Sequence, residues 1–277
     1  MTVLWSWVDL GDHTLQRYNI KQYWLLMSVI SVQKFNPEWK RVFVVDKQTS
    51  DFLNKKGWSD LWDDIKVVDF HETEYGDLYN IQLYSWPKIY SYGLIDDDVL
   101  ILDIDIVFLR NFTIPDTSKV IGRLYNHHHS FVTKTSKANL SYKWNDINDT
   151  QTILYENEII EDLMEPDTIC YQGAPIFCPK EYTKLLQSYL IEHIRDVESF
   201  FNGLSSNETY QAIEEEFPLS QFARKYTGIC GFNNRDFRHG YIYNANTNID
   251  CGFHSAETII GIPIFEKYLN KYEQSNT

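Results

Sequence analysis

The sequence predicts an α/β protein with a mostly parallel central sheet, and three observations lead to that class. Short apolar, β-branched runs recur along the first hundred residues; stretches with helical spacing separate them; and one run, Val99-Leu100-Ile101-Leu102-Asp103-Ile104-Asp105-Ile106-Val107-Phe108, is broken by two aspartates one residue apart. Strands that alternate with helices need crossover connections, so they pair in parallel and present ligands at their carboxyl ends. The aspartate pair falls at such an end.

The elements follow in order. Residues 3–8 form a short apolar strand candidate, and 18–34 (YNIKQYWLLMSVISVQK) have the i, i+3, i+4 spacing of an amphipathic helix that ends near Asn36-Pro37. Residues 41–45 (RVFVV) read as a β-branched strand ending in Asp46, 50–56 as a short helix closed by Gly57, and 65–70 as a third strand. A helical stretch over 78–92 contains Pro87; the turn Asp96-Asp97-Asp98 then leads into the strand that delivers Asp103 and Asp105. Beyond it, 120–125 is a strand candidate and 126–149 is polar and irregular, of the kind that forms functional loops. Residues 169–179 read as a strand or hairpin, 180–199 and 206–226 as helices, and the tail holds short apolar stretches at 241–243 and 259–269.

Composition narrows the classes of function. A chain of 277 residues suits a single domain with a sizeable core, and nothing in it marks an interdomain linker. Lys and Arg total 25 against 39 Asp and Glu, leaving a formal charge of -14 with no basic stripe, which argues against nucleic acid as a partner. No window reaches the roughly 18 apolar residues of a membrane span and no signal peptide is visible, so a soluble cytoplasmic protein is expected. Cys170, Cys178, Cys230 and Cys251 lack CxxC spacing and read as reduced thiols. The 19 Tyr and 8 Trp supply rings suited to stacking on sugars or bases, as well as core.

The chemistry centres on Asp103 and Asp105. A period of two puts both carboxylates on one side of the strand end, with Ile104 turned to the core. Two adjacent carboxylates repel, and a hard divalent cation keeps both ionised while accepting further oxygen ligands such as those of a diphosphate. Consecutive His127, His128 and His129 do not converge easily on one ion and read as an exposed loop.

The segment 84–111 (YSWPKIYSYGLIDDDVLILDIDIVFLRN) resembles the metal-binding core of GT-A fold nucleotide-sugar glycosyltransferases, glycogenin-like in feel, with Asp103 and Asp105 matching the DxD motif and Lys88 the helical lysine upstream of it. Residues 172–179 (QGAPIFCP) resemble the NxGVFVxxPS-type segment of those enzymes, departing from it at Gln172 and Pro175, and His254 in CGFHSAE matches their C-terminal metal-binding histidine. The resemblance implies a single Rossmann-like GT-A domain over residues 1–277, with 1–110 as the nucleotide-sugar-binding half and 111–277 as the acceptor-binding half, and a hexosyl- or pentosyltransferase. It further implies a UDP-sugar donor, a glycan or glycoprotein acceptor, a phosphate contact from Lys88, and base and ribose contacts around Trp5, Ser6, Trp7 and Asp46. Asp103, Asp105 and His254 would then ligate Mn2+ or Mg2+, since oxygen donors with one imidazole suit either ion.

Breaking the glycosidic bond puts charge on the β-phosphate, which metal and lysine would stabilise. Inversion needs an acid side chain to take the acceptor proton, and Glu214, Glu215 and Glu216, close to Gln221, are the candidates, with Glu216 and Gln221 taken as the catalytic pair; retention stays open. Two other readings stand beside this one. VLILDIDIV also fits a haloacid dehalogenase-like Mg-dependent phosphohydrolase, and a catalytically silent nucleotide-sugar-binding protein would keep the same residues without turnover.

Overall fold

In the computed structural model, residues 1–8, 19–73, 76, 86–108, 110–126, 169–200, 217–232 and 237–239 are described. The chain divides into two compact units, each assembled from segments distant in sequence. The first comprises Met1–Asp69, Leu102–Thr113 and Asn233–Thr277; the second comprises Phe70–Ile101 and Ile114–Phe232. Helices and strands alternate through the first segment, and the α/β class expected from the sequence is observed.

In the first unit, β1 (Thr2–Trp7) leads through α1 (Asn19–Phe35) to β2 (Lys40–Val45), then α2 (Lys47–Lys56), a 3-10 turn (Ser59–Leu61) and β3 (Asp64–Val67). The strands lie in the order β3-β2-β1 and all pair in parallel, with Trp5 opposite Phe43 and Val44 opposite Lys66. Val3, Leu4 and Trp5 and the run Val42–Val45 are buried. Such a near-continuous apolar pattern marks strands covered on both faces. Helix α1 is buried over more than one stripe, at Gln22, Trp24, Leu25, Leu26, Ser28, Val29, Ser31 and Val32. Helix α2 begins three residues before the expected position because Asp46 caps it, its Oδ1 accepting from Thr49 N at 2.7 Å. Gly57 ends that helix in the left-handed region, φ 68°, where a side chain would be strained.

In the second unit, α3 (Trp86–Tyr92) precedes the fully buried strand β4 (Val99–Ile101). The chain next crosses to the first unit, where β5 (Ile106–Phe108) follows. Back in the second unit come β6 (Ile121–Asn126), β7 (Ile169–Cys178), a 3-10 turn (Lys180–Tyr182), α4 (Thr183–Phe200) and α5 (Phe217–Tyr226). Here the strands lie in the order β4-β7-β6 and pair antiparallel, with Leu100 opposite Phe177 and Tyr125 opposite Cys170. Strand β8 (Phe237–His239) completes the described elements and pairs antiparallel with β5 in the first unit, His239 opposite Ile106.

Aromatic side chains build much of both cores. Phe43 stacks on Trp62 at 4.8 Å in the first, and Phe222 lies against Tyr226 and Tyr189 in the second. No described helix is long and apolar enough to cross a membrane.

Candidate functional site

Asp103 and Asp105 occupy a tight turn between β4 and β5. The backbone N–H of Ile106 donates to the Asp103 carbonyl at 3.2 Å, which puts Asp103 at the first position of the turn and Asp105 at the third. Aspartate is favoured in turns because its short side chain bonds nearby backbone and tolerates turn geometry. Burial alternates through the turn: Leu102, Ile104, Ile106 and Phe108 are in the core, whereas Asp103, Asp105 and Val107 are half-buried. The apolar anchors therefore turn both carboxylates away from the interior.

Hydrogen bonds hold the turn on both sides within the first unit. On its N-terminal side, Leu102 N donates to the Leu4 carbonyl of β1 at 2.9 Å. On its C-terminal side, Phe108 N donates to Ser31 Oγ at 3.0 Å, and Ser31 Oγ donates onward to the Ser28 carbonyl at 2.7 Å. Four residues later, Asn36 and Phe112 exchange two hydrogen bonds, Asn36 Nδ2 to the Phe112 carbonyl at 2.9 Å and Phe112 N to Asn36 Oδ1 at 3.1 Å. Edge-on contacts of Trp39 with Phe108 and Phe112 seal the same stretch. Ser31 and Asn36 were not singled out from the sequence; the signal that marks them is a serine within the apolar middle of α1 and an asparagine just past its end.

Other residues singled out in the first unit stand at the carboxyl ends of β1 and β2. Trp5 is fully buried and its indole N–H donates to Ser28 Oγ at 2.9 Å, so its ring is part of the core. Ser6 and Trp7 are half-buried at the end of β1, with Lys21 Nζ 4.9 Å from the Trp7 ring centroid. Asp46, at the end of β2, caps α2.

In the second unit, Lys88 Nζ donates to the Gly173 carbonyl of β7 at 3.0 Å. Gln221 lies on α5 with its Oε1 buried and without a hydrogen-bond partner among the described residues. Glu216 and His254 lie outside the described residues, as do Glu214, Glu215 and His127 to His129.

Hard carboxylate oxygens in one turn suit Mn2+ or Mg2+, and such ions take substrate oxygens as further ligands. Among the described residues no third His, Cys, Asp or Glu joins the pair.

No protein-family model matches the chain, and no curated protein matches its sequence. Among solved structures, it is similar to one titled PaToxG Glycosyltransferase, at 11% identity over 82% of this chain and 68% of that one, with a TM-score of 0.41. That likeness is too distant to transfer any residue's role.

Proposed function

We propose that the chain is a metal-dependent glycosyltransferase that moves a sugar from a nucleoside-diphosphate sugar, UDP-sugar being the favoured donor, to a glycan or glycoprotein acceptor. One arrangement supports this reading above the others: two half-buried carboxylates presented by a turn that hydrogen bonds fasten to β1 and α1. The resemblance of residues 84–111 to the DxD core of nucleotide-sugar glycosyltransferases points the same way.

Asp103 and Asp105 hold Mn2+ or Mg2+ in this reading. When bound, such an ion offsets the negative charge that develops on the leaving diphosphate. Ser6, Trp7 and Asp46 contact the base and ribose from the strand ends, Trp7 contributing ring surface and Asp46 a carboxylate acceptor for sugar hydroxyls. Preorganisation is the protein's main contribution. A turn fixed before the donor arrives spends no binding energy on ordering itself.

The test is release of nucleoside diphosphate from a panel of UDP- and GDP-sugars with Mn2+, each repeated with chelator. Release from one donor, lost on chelation, is the expected result. No release from any donor, together with Mg2+-dependent phosphate release from a phosphomonoester, would overturn the reading in favour of a phosphohydrolase.

A further inference from the structure

We infer that Asn36 is a positioning residue for the aspartate turn: its side-chain amide clasps Phe112 and so fixes the segment that carries Asp103 and Asp105 in the geometry a divalent cation needs. This rests on the glycosyltransferase reading, whose metal ligands are the aspartate pair, and adds to it a residue outside the turn.

Asn36 is itself fixed on both sides. Helix α1 ends at Phe35, yet the Asn36 backbone N–H still donates to the Val32 carbonyl at 2.8 Å, and Pro37 then stops the helix. The Asn36 carbonyl accepts from Trp39 N at 3.1 Å. From this buried position the amide engages both backbone groups of Phe112, accepting from its N–H at 3.1 Å and donating to its carbonyl at 2.9 Å. Two bonds to one residue copy the closely spaced pair of an antiparallel ladder. Asparagine suits the place because it offers a donor and an acceptor side by side, whereas an ionised aspartate has no donor.

Phe112 lies at the end of a visiting segment. Residues Leu102–Thr113 belong to the first unit, while the chain up to Ile101 and again from Ile114 belongs to the second. Hydrogen bonds tie the segment to the first unit at its entry, Leu102 to Leu4, then at Phe108 to Ser31, and at its exit, Phe112 to Asn36. The rings of Phe108, Phe112 and Trp39 pack together over the same stretch. Ring packing keeps these residues close but tolerates sliding; directional bonds to a buried, satisfied amide fix the register.

The turn needs such anchoring for an electrostatic reason. Without a cation its two carboxylates repel, and a loosely tethered segment relieves that repulsion by letting them spread. Anchors on both flanks keep the oxygens where the ion takes them, so that metal binding loses less to ordering the chain.

Calorimetric titration of Mn2+ into the full chain tests the assignment, with wild type, Asn36→Ala, Asn36→Asp and, as a control, Gly122→Ala in the second unit. Asn36→Ala is expected to weaken Mn2+ about tenfold, the low end of what is lost when a group that orients metal ligands is removed. Asn36→Asp keeps the acceptor for Phe112 N and loses the donor, so a smaller loss is expected. Its added negative charge would by itself favour a cation, and a loss there therefore reports geometry. The Mn2+ concentration for half-maximal donor hydrolysis should rise in both variants, with the rate at saturating Mn2+ close to that of the wild type. Gly122→Ala, which strains the fold away from the turn, should melt lower and bind Mn2+ as the wild type does. If Asn36→Ala does not fold, Asn36→Asp decides alone.

Unchanged Mn2+ affinity in the folded Asn36 variants, or an equal loss in Gly122→Ala, would overturn the positioning role, while metal-dependent donor hydrolysis by the wild type kept the transferase reading intact. A wild type that neither binds Mn2+ nor releases nucleoside diphosphate from any donor would overturn both.

Discussion

Phe108 and Ser31, 77 positions apart in the chain, meet where the Phe108 backbone N–H donates to the Ser31 hydroxyl at 3.0 Å inside the core. The same hydroxyl donates to the Ser28 carbonyl, and Ser28 accepts from the Trp5 indole, so one buried polar chain links β1, α1 and β5. It begins in the strand that binds Leu102 and ends just past the aspartate turn.

Ser31→Ala removes that link and leaves the Phe108 N–H buried without an acceptor. An unsatisfied buried donor costs about 1–3 kcal/mol, so the variant should melt several degrees lower. Donor hydrolysis should fall as well, because β5 fixes the C-terminal side of the turn. Calorimetric melting and steady-state assays measure the two effects. Unchanged melting would mean that the serine is not a support.

Asp103→Asn and Asp105→Asn separate metal binding from folding. Asparagine keeps the shape and is equally at home in turns, and removing one of two neighbouring carboxylates relieves repulsion. Each variant should therefore fold as well as the wild type without metal, or slightly better. Mn2+ should raise the wild-type melting temperature by mass action and leave the variants' unmoved. Turnover should drop by about 100-fold or more, the scale on which loss of one electrostatic contact to a transition state is felt. Full activity in both variants would remove the aspartate pair from the mechanism.

Much of this architecture is readable from the residues. The β-branched runs that became β1 and β2, the helical spacing before Asn36, and the apolar run up to Leu102 locate the parallel strands and the turn, because burial on both faces leaves a dense apolar signal. The third strand, expected over 65–70, lies at Asp64–Val67, where its residues are only partly buried. The start of α2 was missed because Asp46, taken as the strand's end, is also the helix cap. Strand β8 left no trace, since three residues with Arg238 and His239 show no period. Nor does a local pattern disclose that Phe108 finds Ser31 or that Phe112 finds Asn36; those are tertiary choices. Antiparallel pairing of β6 and β7 is equally silent, as the register is set by contacts far apart in sequence and by an irregularity at Gly122.

That irregularity carries a prediction of its own. A Cβ on Gly122 would lie 2.7 Å from two Tyr171 ring carbons and 2.8 Å from Ile176 Cδ1, well inside contact distance. The ring cannot swing away, because its hydroxyl is held from both sides, donating to the Val120 carbonyl and accepting from Cys230 N, each at 2.9 Å. Gly122→Ala should therefore destabilise by about 1–3 kcal/mol, the usual cost of overpacking. Pairing it with Tyr171→Phe, which frees the ring, should recover part of that loss, giving a non-additive double-mutant cycle.

Tyr171 also governs one part of the response to alkali. Burial pushes its hydroxyl up to about 12, above the value near 10 of an exposed tyrosine. The unfolded chain thus gives up this proton first as pH rises, and the native state, which keeps it, loses ground. The stabilising contribution of Tyr171 is whole below about pH 10 and declines between about 10 and 12. Tyr171→Phe lacks the titration and, at neutral pH, leaves the Val120 carbonyl and the Cys230 N–H without their partner, a loss of about 1–3 kcal/mol. The stability gap between wild type and Tyr171→Phe, measured by urea unfolding at matched pH, should be constant from neutrality to about pH 10 and then narrow. Subtracting the two curves cancels the other ionisable groups, which both proteins share. A gap that stays constant to pH 12 would mean that the buried hydroxyl titrates as it does in water.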